Sequence, residues 1–433
     1  MELYELFKKY PVICTDSRNC PKGSLFFALK GDNFNANAFA GAALSAGCAY
    51  AVVDDPEFAV DERYIVVENV LETLQALARY HRLQLGTTIV GITGTNGKTT
   101  TKELIAAVLS EKYNVLYTQG NLNNHIGVPL TLLKLTPGHE MAVIEMGANH
   151  PGEIKALVEI ACPDYGIITN VGKAHLEGFG SFEGVKKTKA ELYDYIYSQG
   201  KDIFLNRGNQ HLVEMAKKSG FVAGERVHTY SVCPKDEPVY VTGEIVDCSP
   251  FLKLSCQEDE QFEVETKLIG TYNAENVLAA VTIGHFFGVN NKQIKEGLEK
   301  YTPQNNRSQL TVTDRNKLVV DAYNANPTSM AAAVKNFGQM QVDNKVLILG
   351  DMLELGEQSE TEHQNIIRLL ESFRFDKVML VGKQFAATAN SFTTYENVDE
   401  LLSDTTVLES VTDSYVLIKG SRGIRLEKVI PRL

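Results

Sequence analysis

The stretch Thr88-Ile89-Val90-Gly91-Ile92-Thr93-Gly94-Thr95-Asn96-Gly97-Lys98-Thr99-Thr100 decides how the rest of the chain is read. Its apolar half predicts a buried strand, Thr88 to Thr93, and the run beyond its glycines predicts a helix from Lys98 to about Lys112 with Leu104, Ile105, Val108 and Leu109 on its inner face. Glycines in such a turn let the backbone curl until its N–H groups and the helix amino terminus aim at one anion. Gly94, Thr95, Asn96, Gly97, Lys98, Thr99 and Thr100 are therefore candidate nucleotide contacts, with Lys98 on the β- and γ-phosphates and Thr99 on Mg2+. The strict GxxxxGK[ST] spacing is not met, since its first Gly would fall at Ile92 and the glycines stand at 91 and 94. A structural turn with a chance Lys-Thr pair is the alternative.

Outward from this loop, apolar strands and amphipathic helices alternate: Met141 to Met146, Glu153 to Ile160, Tyr165 to Asn170, Glu183 to Tyr197, Asp202 to Leu205. That alternation predicts a largely parallel sheet covered on both faces. Short alternating strands come next, between Val222 and Leu268, then a helix from Ala274 to Phe287. Upstream, strands at Ser24 to Leu29 and Tyr50 to Val53 and a helix from Leu71 to Leu85 form a separate unit. Downstream, beyond Pro303, strands at Leu318 to Ala322, Lys345 to Leu349, Lys377 to Val381 and Tyr415 to Ile418 suggest a second doubly wound sheet. The expected fold is α/β with three domains, at residues 1–84, 85–304 and 305–433, in keeping with a chain of 433 residues.

Composition is that of a globular protein, with 44% hydrophobic and 22% charged residues. A net charge of −12 has the wrong sign for nucleic acid or an anionic membrane, so bound phosphate must be held by local devices. Seven scattered cysteines without a CxxC pair read as reduced thiols, and with no signal peptide at residues 1–10 and no spanning segment they predict a cytoplasmic location.

Three further residues could carry chemistry. Glu145 closes an apolar strand, where a doubly wound sheet places ligand-binding groups; it would bind Mg2+ shared with phosphates, or be a solvated strand end. His175, after another buried strand, is a second metal ligand or a structural histidine. Lys189, between acidic neighbours on a helix, is by default a solvated ion-pair lysine.

Several segments together resemble the Mur ligase family of peptidoglycan synthesis. They are Thr93 to Thr99, Gly120-Asn121-Leu122-Asn123-Asn124 with Gly127 and Pro129, the strand bearing Glu145, Ala174-His175-Leu176-Glu177, Tyr272-Asn273-Ala274-Glu275-Asn276, Arg307, and Asp321 to Ser329. They run in family order over nearly the whole chain. The resemblance implies a small UDP-binding domain, a central ATP-binding P-loop domain and a C-terminal Rossmann-like domain. It also implies ATP-dependent peptide-bond formation through an acyl phosphate. Gly147 to Glu153 and the Tyr323-Asn324-Ala325-Asn326-Pro327 stretch resemble the family member that joins D-alanyl-D-alanine to UDP-N-acetylmuramoyl tripeptide, releasing ADP and phosphate. The implied partners are these two small molecules, with no nucleic acid or membrane insertion, and a monomer is expected.

By the same resemblance Lys189 is the family's carbamylated lysine, bridging to Mg2+ with Thr99, Glu145 and His175, with Lys186 and Lys187 as alternatives. Lys98, Lys189 and His175 become the catalytic candidates. Asn273 and Asn276 are implied to face adenine, and Arg307 and Asp321 to approach the nucleotide from the C-terminal side. Substrate contacts are implied for Ser17, Arg18, Lys30, Asn121, Asn124, Tyr323, Asn324, Asn326, Ser329, Lys419 and Arg422. A sibling ligase or a folylpolyglutamate synthase would use a different amine, and a P-loop switch would release phosphate with no amine at all.

Overall fold

The computed structural model describes residues 2–31, 33–222, 224–232, 239–303 and 307–433. The domain boundary expected at 304/305, and Cys233, lie outside the described residues. The chain divides into two compact units, one of residues 1–92, 113–148 and 152–166, the other of 93–112, 149–151 and 167–433. The division passes through the strands Thr88–Thr93 and Tyr165–Ile168.

In the first unit, four short parallel strands lie in the order Ile13–Cys14, Leu25–Phe27, Tyr50–Val53, Tyr64–Val66. The helix Ala40–Ala46, which the sequence shows only as an Ala-rich stretch, buries Ala40, Ala43 and Leu44 with Phe26, Ala51 and Val53. The unit extends past residue 84 because the helix Val70–Leu85 packs on Gly127–Leu132 and Glu153–Ala161. A second parallel group sets Met141–Glu145 between Thr88–Thr93 and Val115–Tyr117, with Ile92 in register with Glu145. Gly91 is a packing glycine within this strand: a Cβ there would lie 2.8 Å from Met146 Cε and 3.0 Å from Pro163 Cβ. That accounts for the departure from GxxxxGK[ST]. The loop opens at Gly94, and Gly91 serves the sheet.

A partly buried ion pair helps hold this region together. Arg82 Nη2 donates to Asp164 Oδ2 at 2.7 Å, and its Nε reaches the carbonyl of Ala161 at 3.2 Å, capping the helix Glu153–Ala161. Asp164 Oδ2 also accepts the Ile89 N–H at 2.9 Å, so the same carboxylate fixes the strand that feeds the loop.

In the second unit the helix Lys98–Ser110 packs against Ala274–Phe286 and Asn291–Lys300. Strands lie in the order Gln261–Ile269, Phe251–Gln257, Val241–Cys248, Val227–Val232, Asp202–Asn206. The first three, in the alternating stretch after Val222, pair antiparallel, and the others pair parallel. A six-stranded sheet lies beyond them in the chain, ordered Gln309–Val312, Asn316–Asp321, Ser414–Lys419, Lys345–Gly350, Lys377–Val381, Thr393–Tyr395, antiparallel only at its first pair. Pro327–Gln339 and Ser359–Glu371 cover one face, and Val398–Ser403 with Leu426–Arg432 the other, a doubly wound arrangement with two cores.

Removing the buried Arg82 deprives a partly exposed carboxylate of its charge partner and the Ala161 and Cys162 carbonyls of their donor, so Arg82→Ala is expected to destabilise the protein by about 2 kcal/mol. Denaturant unfolding followed by circular dichroism checks this.

Candidate nucleotide and ligase site

The phosphate loop is a backbone curl that only glycine permits at two points. Gly94 has φ +146° and Gly97, which caps the helix Lys98–Ser110, has φ +74°. A Cβ at Gly94 would fall 2.0 Å from Thr169 Oγ1, and one at Gly97 would fall 2.6 Å from Asn276 Oδ1. Thr169 and Asn170, beyond the strand Tyr165–Ile168, clamp the curl. Thr95 N–H donates to the Asn170 carbonyl and Asn96 N–H to Asn170 Oδ1, each at 2.9 Å. The Asn96 carbonyl accepts from Thr169 Oγ1 at 2.7 Å and from Asn170 Nδ2 at 3.0 Å. Lys98 arches back over the loop, its Nζ donating to the carbonyls of Gly94 and Thr95 at 2.9 and 3.0 Å. Thr99 is buried and Thr100 nearly so, at the start of the helix.

Asn276 supports the loop from beneath. Its Oδ1 accepts from Thr101 Oγ1 at 3.0 Å, its Nδ2 donates to Asn273 Oδ1 at 2.8 Å, and Asn273 Nδ2 donates to the Ile269 carbonyl at 2.8 Å. Both asparagines, which the resemblance places toward adenine, are linked to each other in a buried chain behind Gly97.

Lys189 is 2% exposed, its Nζ 5.5 Å from the ring centroid of Phe179, whereas Lys187 is exposed and Lys186 pairs with Glu183. Burial singles out Lys189 among the three lysines. His175 is depressed in pKa by burial first, with the Glu354 carboxylate opposing and the charges of Lys98 and Lys189 adding to the depression. The three catalytic candidates thus share one electrostatic neighbourhood. His175 takes a left-handed conformation, φ +50°, and its Nδ1 pairs with Glu354.

Glu145, 1% exposed, belongs to the first unit. Its Oε1 accepts from Asn123 Nδ2 at 2.8 Å and its N–H donates to Thr118 Oγ1 at 2.9 Å. The sequence singled out Asn121 and Asn124; the residue that holds Glu145 is Asn123 between them. Asn124 Oδ1 caps the helix Gly127–Leu132 through the Ile126 and Gly127 N–H groups, and Asn121 is exposed.

In the C-terminal sheet Lys419, 1% exposed, donates to Asp321 Oδ2 at 2.6 Å and to the Asn324 carbonyl at 3.3 Å. The guanidinium carbons of Arg307 and Arg422 lie 3.8 and 5.6 Å from the ring centroid of Tyr323. Asn326 and Ser329 form a capping box on the helix Pro327–Gln339, and Asn326 Nδ2 also donates to Asn96 Oδ1 of the phosphate loop at 2.7 Å. In the first unit, Arg18 forks onto Asp16 at 2.9 and 2.8 Å, Lys30 pairs with Asp54 at 2.9 Å, and Ser17 is partly exposed between Asp16 and Arg18.

No three His, Cys, Asp or Glu side chains among the described residues converge as a metal cage. A Mg2+ that arrives with ATP needs none, because phosphate oxygens and water fill most of its octahedron. The hydroxyl of Thr99 is an oxygen donor of the kind it takes, with His175 as a nitrogen donor in the same unit, so these residues fit.

The fold and loop define an α/β protein with a phosphate-binding loop. Residues 92–284 match the Mur ligase middle domain and residues 306–422 the Mur ligase glutamate ligase domain. The UDP-N-acetylmuramoyl-tripeptide–D-alanyl-D-alanine ligase of Bacillus subtilis is 33% identical, covering 97% of this chain and 92% of its own. A crystal structure of MurF from Acinetobacter baumannii superposes with a TM-score of 0.86 at 31% identity, over 97% of this chain and 92% of that one. MurF ligase from Thermotoga maritima in complex with ADP also gives 0.86, at 25% identity over 99% and 97%. The chain belongs to the Mur ligase family, with its three-domain fold and ATP-dependent ligase class. No helix among the described residues is long and apolar enough to cross a membrane.

Two outcomes are expected. Gly94→Ala drives a methyl into Thr169 and is expected to abolish ATP binding, measured by calorimetry. Burial is also the first cause lowering the pKa of His81, His285 and His363. The unfolded chain protonates these near pH 6.5 while the folded chain holds them neutral to lower pH. Their contribution to stability is therefore complete above about pH 6.5 and is lost as pH falls through the lower folded values. Thermal melts from pH 8 to pH 5 should show Tm falling below about 6.5.

Proposed function

We propose that this protein ligates D-alanyl-D-alanine to UDP-N-acetylmuramoyl tripeptide, giving ADP, phosphate and the pentapeptide precursor of peptidoglycan. The observation that carries the reading is the glycine cradle under Lys98 with buried Lys189 and His175 in the same electrostatic neighbourhood. The full-length likeness to ligases of that name supports it. The reading divides the chain at 1–84, 85–304 and 305–433.

A carboxylate resists attack by an amine because an oxide would have to leave. Phosphorylation by ATP turns that oxide into phosphate, and the protein's part is positioning and charge stabilisation. The loop N–H groups and the helix amino terminus bind the phosphates, and Lys98, released from the carbonyls of Gly94 and Thr95, tracks the γ-phosphoryl group. Mg2+, when bound, offsets the charge that builds on the phosphate oxygens. Thr99, His175 and Lys189 would hold it, Lys189 as a carbamate, the carboxylate formed when its amine takes up CO2. In the first unit Asn123 holds the Glu145 carboxylate in one orientation. Arg307, Tyr323, Asn324 and Arg422 lie on the C-terminal side, where the two guanidinium groups offer positive charge to the carboxylate of the incoming dipeptide, and buried Lys419, paired with Asp321, holds the Asn324 carbonyl. The enzyme works as a cytoplasmic monomer on soluble small molecules.

ADP release with UDP-N-acetylmuramoyl tripeptide should depend on D-alanyl-D-alanine and not on free amino acids. Release independent of any amine would defeat the reading. Lys98→Ala should lower the rate by about 10² to 10³. Lys189→Ala should be inactive and regain activity with added short carboxylates; full activity without them would refute the carbamate.

A further inference from the structure

Nothing in composition or spacing draws notice to Glu354, yet it meets His175 with both residues in the left-handed backbone region, φ +63° and φ +50°. Residues with a Cβ adopt that conformation only where surrounding structure imposes it, and such outliers gather at functional sites. The surrounding structure here is specific. Asp351 N–H donates to the Val381 carbonyl at 3.0 Å, and the Asp351 carboxylate accepts the N–H groups of Gln384 and Phe385 at 2.9 Å each. Met352 N–H donates to His363 Nε2 and Leu353 N–H to Ser421 Oγ, at 3.0 and 2.9 Å. Met352 and Leu355 are buried on either side. Every residue next to Glu354 is thus anchored, while its own carboxylate stands out, with 57% of its side chain exposed, to meet the imidazole.

The His175 loop is anchored from the same side. Lys173 Nζ donates to Glu362 Oε1 at 2.7 Å, and a Cβ on Gly172 would lie 2.8 Å from Thr328 Oγ1. Two loops are built to bring one carboxylate to one ring nitrogen.

We propose that Glu354 is a positioning residue for His175: it accepts the Nδ1 proton, fixes that tautomer and leaves Nε2 as the lone-pair donor for the divalent cation that accompanies ATP. A carboxylate on the far nitrogen is the usual way a metal-binding imidazole is oriented and made more basic. The inference rests on the ligase reading for the cation, and on geometry alone for the tautomer.

The test separates the two. In protein labelled with 15N-histidine at pH 8 without metal, His175, identified by loss of its signals in His175→Gln, should show the Nδ1–H tautomer. Glu354→Gly suits the left-handed backbone and so keeps the fold, and it should give a tautomer mixture. Glu354→Gln, which keeps an acceptor oxygen, should retain the wild-type spectrum. Mn2+ binding in the presence of a non-hydrolysable ATP analogue, measured by electron paramagnetic resonance, should weaken about 10-fold in Glu354→Gly. Glu354→Gly should weaken Mn2+ binding no further in a His175→Gln background. An unchanged tautomer or unchanged Mn2+ affinity in Glu354→Gly overturns the proposal. If the wild type binds Mn2+ as expected but releases no ADP with D-alanyl-D-alanine, it is the ligase reading that fails.

Discussion

The structure depends on a grip between two backbone segments: Thr169 and Asn170 hold the loop Gly94 to Gly97 by its own peptide groups. Buried peptide groups need partners, and the loop finds them within the protein: Asn170 accepts the N–H groups of Thr95 and Asn96, while Thr169, Asn170 and the folded-back Lys98 satisfy its carbonyls. The cradle is therefore formed before a nucleotide arrives. Binding then costs little backbone ordering, which is what preorganised electrostatic stabilisation requires. The Gly97 face rests on Asn276 and the Gly94 face on Thr169, so neither glycine can be replaced without moving a neighbour.

From that loop the polar network runs outward into the C-terminal sheet. Asn326 caps its helix with Oδ1 and touches Asn96 with Nδ2, so one side chain serves both the fold and the loop. Ser421 joins the Asp351 to Glu354 loop to the Ala325 carbonyl, and Lys419 neutralises Asp321. The residues between Asp321 and Ser329 are thereby held by backbone and caps, with the half-buried Tyr323 ring lying under two guanidinium groups.

Much of this is legible in the sequence. The strand Thr88–Thr93, the helix starting at Lys98 and the strand Lys377–Val381 fall where periodicity puts them, because long apolar runs bounded by glycine leave few alternatives. Lys189 cannot be chosen over Lys186 and Lys187 on chemistry alone; the helix face that buries it decides, and that face depends on tertiary packing. Asn123 does not stand out from Asn121 and Asn124 because similar residues in so short a run carry no phase. Glu354 is invisible for another reason: its partner is 179 residues away, and positive φ at a non-glycine residue leaves no mark in composition. Asn273 and Asn276 stand out as a motif in the sequence, but their hydrogen-bonded link to Thr101 behind the loop comes from tertiary packing.

The central claim is that the cradle delivers the γ-phosphoryl group of ATP to a carboxylate and not to water. Isotope transfer reads this directly, using UDP-N-acetylmuramoyl tripeptide labelled with 18O in its terminal carboxylate and turned over with ATP, Mg2+ and D-alanyl-D-alanine. Passage through an acyl phosphate moves one labelled oxygen into each phosphate released, detectable by mass spectrometry. Phosphate formed without label, its new oxygen drawn from solvent, would contradict the account.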